Sequence, residues 1–502
     1  MSSQNVSAQP KAAPAMEMTV QPSVDQAQCQ NHKQGFAARI RGGGAGKDCL
    51  MGALACFLCC ECFEGCCECF ADIVFAEFTS PSTWSFIESK FTPYGKETLA
   101  KVVDFVQNEC LPAEKIYQAQ ISTDPKLRWT TTPPIIEELK AKAKARGLWN
   151  LFLSKAHYPD VGVPLTNVEY AAMAEIMGRV TPIASEAMNC SAPDTGNMGE
   201  WILSAFSMTE RFIASSDATN IQTSIRREGN EIVINGHKWW ISGAGDHRTR
   251  VHLVMGKSDP TNPSPYQQQS IVIVPADAPG VRVVRPMQVF GYDDAPEGHC
   301  EVIYENVRVP ASNIIAGWGR GFEVIQGRLG PGRIHHCMRS IGIAQRALDL
   351  MLERVTDERK KPFGKLLAEH GTVVANIAKS RAEIEGARLL VLSAAHQIDQ
   401  FKAKGALKEI GIAKFVVPGM ALQVVDRAMQ VHGAEGICQD TPLARYWAGL
   451  RTLRYADGPD EVHMQQIGQR ELKRAPRLKE LSAAAQRKED QLWKAAGIKP
   501  KL

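Results

Sequence analysis

The sequence predicts an α+β, multidomain chain: helices first, then a small β domain, then a long helical bundle. Three observations carry that expectation. Helix start and stop marks punctuate residues 131–177, residues 206–310 alternate with the period of strands, and after Gly332 apolar residues recur every seven positions. The chain has 502 residues, 44% of them hydrophobic and 22% charged, enough for several domains or one large multi-layer subunit. A net charge of +4 with no basic arm of interleaved aromatics gives no footprint for nucleic acid.

Residues 1–48, rich in Ser, Gln, Pro, Ala and Gly, have too few large apolar side chains to offset ordering entropy and are expected to be disordered. No secretory signal is visible there. Residues 49–80 form a Cys-rich segment. Eight of the 14 cysteines fall between Cys49 and Cys69. The uncharged run Leu50–Cys60 is far short of the roughly 20 apolar residues that span a bilayer. Acylated cysteines would fix the segment to a membrane surface. Zinc is a poorer fit, because Cys59-Cys60 and Cys66-Cys67 are adjacent pairs without a nearby histidine. An extension with no role in the chemistry is the remaining reading.

Residues 82–203 are expected to form a helical domain. Thr131-Thr132-Pro133-Pro134, with Glu137 and Glu138 behind and Gly147 beyond, marks one helix by a capping Thr, early Pro and terminal Gly. Thr166 and Glu169 form a capping box before Ala171–Met177. Residues 204–325 are expected to be the β domain. Glu231–Ile234, Asn235-Gly236 and Lys238–Ser242 predict a hairpin on a two-residue turn, with strands at Val251–Met255, Ser270–Val274, Val281–Val284 and Glu301–Tyr304. Residues 326–485 return to helix. Ile377, Ile384, Val391 and Ile398, with Ser380, Ala387 and Ala394 offset by three, make a seam of close approach. A second helix carries Ile410, Ala413, Val417, Ala421, Val424, Ala428 and Val431, with Pro418 predicting a kink. Residues 486–502 are a tail, and the basic residues around Lys473–Lys479 read as a solvated helix face.

Five motifs stand in order along residues 82–475. They are Ser204–Glu210 with Ser215-Ser216-Asp217; Asn235–Gly243 with Trp239-Trp240; Gly317–Phe322 leading to Gly330-Pro331-Gly332-Arg333; Glu358–Lys365 with Gln430–Gly436; and Tyr455–His463. Together they resemble the acyl-CoA dehydrogenase family, in the branch whose larger members carry an added kinase-like domain. The resemblance implies a helical domain, a middle β-sandwich or barrel-like domain, a C-terminal four-helix bundle, and FAD as cofactor. It implies that Met208 and Thr209 touch the isoalloxazine, that Ser216 approaches flavin or CoA phosphate, and that Trp240 and Ser242 form the flavin wall and reach N5. Arg333 would meet the CoA moiety. Arg359 (or Lys360), Phe363, Gln430 and Gly433 would complete the flavin site across a subunit contact, and Glu461, after the Asp457 turn, would reach the flavin. His335 and His336 read as helix-surface or packing residues.

Asp457 stands where the family commonly has a catalytic Glu, so it is the expected base, with its pKa raised by burial. A helix N-cap is the plainer reading of Asp457. The implied reaction is α,β-dehydrogenation of an acyl-CoA to the trans-2-enoyl-CoA by a homodimer or homotetramer, with an electron-transfer flavoprotein as acceptor. Two alternatives stand beside it: an acyl-CoA oxidase using O2, and an inactive membrane-tethered scaffold. Two departures from the family matter. A helix and its connection, together about twenty residues, are missing after Met198, Arg211 stands where the family has proline, and Phe212 and Ile213 replace the usual polar or small residues. The final Pro500-Lys501-Leu502 is a weak variant of a peroxisomal address, so the peroxisome or the mitochondrion is the expected compartment.

Overall fold

A computed structural model describes residues 87–156, 158–191 and 203–499. The disordered start, the cysteine segment, the missing helix after Met198 and the final three residues are expectations that lie outside the described residues.

Among the described residues five α-helices come first: α1 Pro93–Phe105, α2 Glu114–Gln120, α3 Pro134–Ala145, α4 Asn167–Gly178 and α5 Ile183–Ala187. One carboxylate starts two of them. Glu169 closes the capping box of α4 with Thr166 and also accepts from Thr92 N and Oγ1, both at 2.7 Å, at the start of α1. The cap expected for α3 differs. Thr131 Oγ1 turns back to Leu127 O at 2.8 Å, and Pro133 takes the cap position without a side-chain bond. The first free amide, Ile135 N, donates instead to Gln120 Oε1 at 2.8 Å, a long-range partner that local pattern does not reveal.

The middle region is one seven-stranded curled sheet: β1 Leu203–Ser207, β2 Ser224–Glu228, β3 Glu231–Ser242, β4 Thr249–Lys257, β5 Gln269–Pro275, β6 Val281–Pro286 and β7 His299–Pro310. The order is β1-β4-β2-β3-β7-β6, with β5 paired to β4. The predicted Asn235-Gly236 hairpin is corrected. β3 runs straight through it, and the hairpin turn lies earlier, where Glu228 pairs with Glu231. Asn235 Oδ1 accepts from Asn306 N across to β7, and a Cβ on Gly236 would meet Thr223 Oγ1 at 2.1 Å. The pair thus marks a bulge and a close approach, with a register shift between Ile234 and Gly236.

Six helices follow: α6 Gly321–Val355, α7 Gly371–Gly405, α8 Leu407–His432, α9 Leu443–Thr452, α10 Asp460–Leu472 and α11 Ala475–Ala496. α6 begins well before Gly332, and Gly330-Pro331-Gly332 lies inside it. Packing of α6 against α7 and α8 outweighs the roughly 3 kcal/mol that an internal proline costs. α8 likewise runs unbroken through buried Pro418. The seam of α7 is buried at Ser380, Ile384, Ala387, Val391 and Ala394.

Helices before and after the sheet share one core, in which Val102, Met173, Met338, Ile384 and Val424 belong to the same cluster, while Ile234, Val302 and Tyr304 centre a separate core in the sheet. α4 and α6 cross where both lack a side chain. A Cβ on Gly342 would sit 1.9 Å from Glu175 O, and one on Gly178 would sit 2.3 Å from Arg339 O. Buried Arg388 then ties α7 to α4 through two 2.9 Å bonds to Glu175. In α11 none of the residues is buried, which fits a solvated face.

Candidate active site

Asp457 lies in the turn between α9 and α10 at φ +57°, followed by Gly458 at φ +105°. Aspartate is among the few residues that enter this left-handed region at moderate cost. It is not a helix cap: α10 starts at Asp460, with Pro459 in the cap position and no capping side chain. The turn is held from three sides. Arg333 Nε donates to Asp457 O at 2.8 Å. Arg454 Nε donates to Asp460 Oδ2 at 2.6 Å. Lys414, fully buried on α8, donates to Leu453 O.

The Asp457 side chain is 12% exposed, and its Oδ2 faces His336 Nε2 at 3.4 Å. Burial alone would raise its pKa, as the sequence leads one to expect. The structure reverses that direction, because His336, then Arg333 and Lys414, favour the charged form and hold it below the ordinary aspartate value. These groups come from α6 and α8, far from Asp457 in sequence. His336 therefore belongs to the site and is not a surface residue. Its neighbour His335 is buried, stacked on Tyr170 with a 3.2 Å contact from Nδ1 to the phenol oxygen. Arg333 sits in the interior of α6, one of its donors already given to the turn.

A second group gathers on the sheet. Thr209 Oγ1 donates to Trp239 O at 2.5 Å, and Trp239 N returns a bond to Thr209 O at 3.1 Å. That spends the threonine proton and leaves its oxygen as an acceptor. Met208 is fixed by Lys238, whose Nζ reaches Met208 O and Met255 O at 2.7 Å and Glu210 Oε1 at 2.9 Å. Burial lowers Lys238 to about 8 against the pull of Glu210. Trp240 has φ +56° inside a strand and remains 37% exposed. Such strain without burial fits a residue shaped to present an aromatic face to a planar ring. Ser242 pairs with His299 across the sheet, Oγ to Nδ1 at 2.9 Å, and the Trp240 and His299 rings meet edge to face at 5.6 Å. These features fit a flavin: an exposed aromatic wall flanked by two placed hydroxyls.

The other expected residues are presented to solvent. Ser216, Arg359, Gln430, Gly433 and Glu461 are exposed, and Arg359 pairs with Asp357. Phe363 is 98% exposed on a left-handed turn. Arg354 binds Val431 O and His432 O, so the Gln430–Gly433 turn is anchored to α6. The sequence reading missed Lys238, His299, His336 and Lys414. Only Lys414, a lone cation within Ile410–Val417, gave a local signal. Among the described residues no group of His, Cys, Asp or Glu is placed to hold a metal ion, and no helix is long and apolar enough to cross a membrane.

Residues 205–307 match the description "acyl-CoA dehydrogenase, middle domain", and residues 319–472 match "acyl-CoA dehydrogenase, C-terminal domain". The chain is 52% identical over 364 residues to FadE2 of Mycobacterium tuberculosis, an acyl-CoA dehydrogenase by name, covering 68% of this chain and 87% of that protein. It is 49% identical over 412 residues to acyl-CoA dehydrogenase family member 10 of Mus musculus, covering 78% of this chain and 38% of that one. With IBR3 of Arabidopsis thaliana the identity is 46% over 445 residues, 80% of this chain and 53% of that one. The chain thus spans only about two-fifths to half the length of these two relatives. A solved protein from Mycobacterium abscessus, assigned to the acyl-CoA dehydrogenases, is 42% identical with a TM-score of 0.71, covering 76% of this chain and 99% of that one.

Proposed function

The chain belongs to the acyl-CoA dehydrogenase family, and we propose that it oxidises the Cα–Cβ bond of an acyl-CoA thioester to the trans-2-enoyl-CoA with FAD. The observation that carries the proposal is Asp457: a largely enclosed carboxylate in a left-handed turn, its backbone gripped by Arg333 and its Oδ2 3.4 Å from His336. When bound, FAD supplies the acceptor for the β-hydrogen, which leaves as hydride. Asp457 takes the α-proton. A thioester oxygen polarised by a backbone amide acidifies that carbon. Because Asp457 is held ionised, the proton-accepting form is present across the neutral range.

Trp240 would cover the ring, Ser242 would bond to it, and the Lys238–Glu210 clamp would keep Met208 and Thr209 in register beside it. Exposed Phe363 and Arg359 support a homo-oligomer in which a neighbouring copy completes the site. We take an electron-transfer flavoprotein as the oxidant of the reduced enzyme, and stoichiometric peroxide would favour oxygen instead. The test is Asp457→Asn. The variant should keep its flavin and lose nearly all reduction by acyl-CoA, and reduction at the wild-type rate would sink the assignment.

A further inference from the structure

We infer that His336 is a positioning residue that orients the Asp457 carboxylate by donating Nε2–H to Oδ2, and that Arg339 fixes His336 in the tautomer this requires. The inference rests on Asp457 being the base.

The first observation is the tautomer. Arg339 NH2 stands 3.0 Å from His336 Nδ1, one turn along α6. A guanidinium has donors and no acceptor, so Nδ1 must offer its lone pair. The ring proton is then on Nε2. That is the nitrogen facing Asp457 Oδ2 at 3.4 Å.

The second observation is what the other neighbours do. From α6, Arg333 gives its Nε to the Asp457 backbone carbonyl, while Cys337 is buried and its thiol is pushed up to about 12, so it stays neutral. From α8, Lys414 donates to Leu453 O. From α10, Asp460 is bonded to Arg454, and His463 is pushed down to about 4 by burial, Arg333 and Lys414, so it carries no charge near neutrality. Among these groups, His336 is the one that brings a ring nitrogen within 4 Å of the carboxylate oxygen. At 3.4 Å the contact is longer than an ordinary hydrogen bond, and Oδ2 has no other partner among the described residues. As it stands the contact is not a hydrogen bond, and a reorientation of the ring or of the carboxylate would complete it. With Oδ2 held, Oδ1 is the oxygen left for the α-proton.

Two consequences separate positioning from packing. Removing the Nε2–H donor leaves burial less opposed, so the Asp457 proton affinity rises and the acidic limb of the reduction rate moves to higher pH. The carboxylate also loses its preferred rotation, which lowers the plateau. His336→Gln can place an amide N–H where Nε2 was, whereas His336→Phe keeps the bulk without the donor.

The experiment is anaerobic stopped-flow reduction of the holoenzyme across pH, with whichever of butyryl-, octanoyl-, lauroyl- and palmitoyl-CoA reduces the wild type fastest. Flavin content and the visible spectrum report folding. For His336→Phe we expect full flavin content, a limb about one pH unit higher and a plateau lower by on the order of tenfold. His336→Gln should restore the limb, and Arg339→Met should move it part of the way. An unmoved limb in His336→Phe at full flavin content would overturn the inference, as would a loss confined to stability or flavin retention. Asp457→Asn is measured alongside. If it reduces normally, the base assignment fails whatever the His336 variants do.

Discussion

Replacing Lys238 with Met tests whether the clamp beneath the flavin strand matters as its geometry implies. Lys238 is fully buried and makes three bonds, to Met208 O, Met255 O and Glu210 Oε1. Without it Glu210 remains a buried carboxylate that has lost its cation, though the amides of Gln222 and Thr223 still donate to it at 2.9 Å. Two carbonyls also lose their donor. Breaking a buried pair from one side costs about 3–5 kcal/mol, because the surviving charge is uncompensated. Pairing Lys238→Met with Glu210→Gln should recover about 2 kcal/mol or more of that loss, since no charge is then stranded. Hydrogen exchange at the Trp239 amide, which bonds Thr209 O, reads local opening of this region directly. The single variant should exchange faster by two orders of magnitude or more, roughly, as 3 kcal/mol implies, and should bind FAD more weakly. Protection within about 1 kcal/mol of wild type, with normal FAD affinity, would refute the reasoning.

Arg388→Met should destabilise the helical core by about 3–5 kcal/mol, because Glu175 stays buried when its partner leaves, and denaturant unfolding of the helices would read it. Glu297 gives a pH dependence. Burial and the Glu186 carboxylate raise it from 4.5 to about 8, against the pull of Arg248. Between those values the folded protein holds a proton that the unfolded chain releases, so its contribution to stability falls as pH rises through that window. Glu297→Gln should flatten the slope between pH 5 and 8, followed by the unfolding temperature across pH.

The order of helix, sheet and helix was legible because its signals are local: the Thr166 capping box, strand alternation, and the seven-residue recurrence on α7. The errors came where tertiary contacts overrode local signals. Asn235-Gly236 has the composition of a turn, yet its neighbours on β7 and at Thr223 keep it in a strand. The helical recurrence was visible only after Gly332, yet packing carries α6 from Gly321 through Gly330-Pro331-Gly332. In the site, motif order pointed to Asp457, Trp240 and Ser242. His336 and Lys414 act on Asp457 from other helices, so the direction of its pKa shift could not be read from the turn's own sequence. Lys238 was hidden differently, as a cation inside a motif whose tryptophans drew the functional reading.

The central claim is a flavin reduced directly by an acyl-CoA. The most direct measurement is the visible spectrum of the purified protein, followed by anaerobic addition of straight-chain acyl-CoAs of increasing length. The account predicts an oxidised-flavin spectrum that bleaches with at least one of them and returns when an electron acceptor is added. A protein that takes up FAD and bleaches with dithionite, yet keeps its full spectrum with every acyl-CoA, would contradict it.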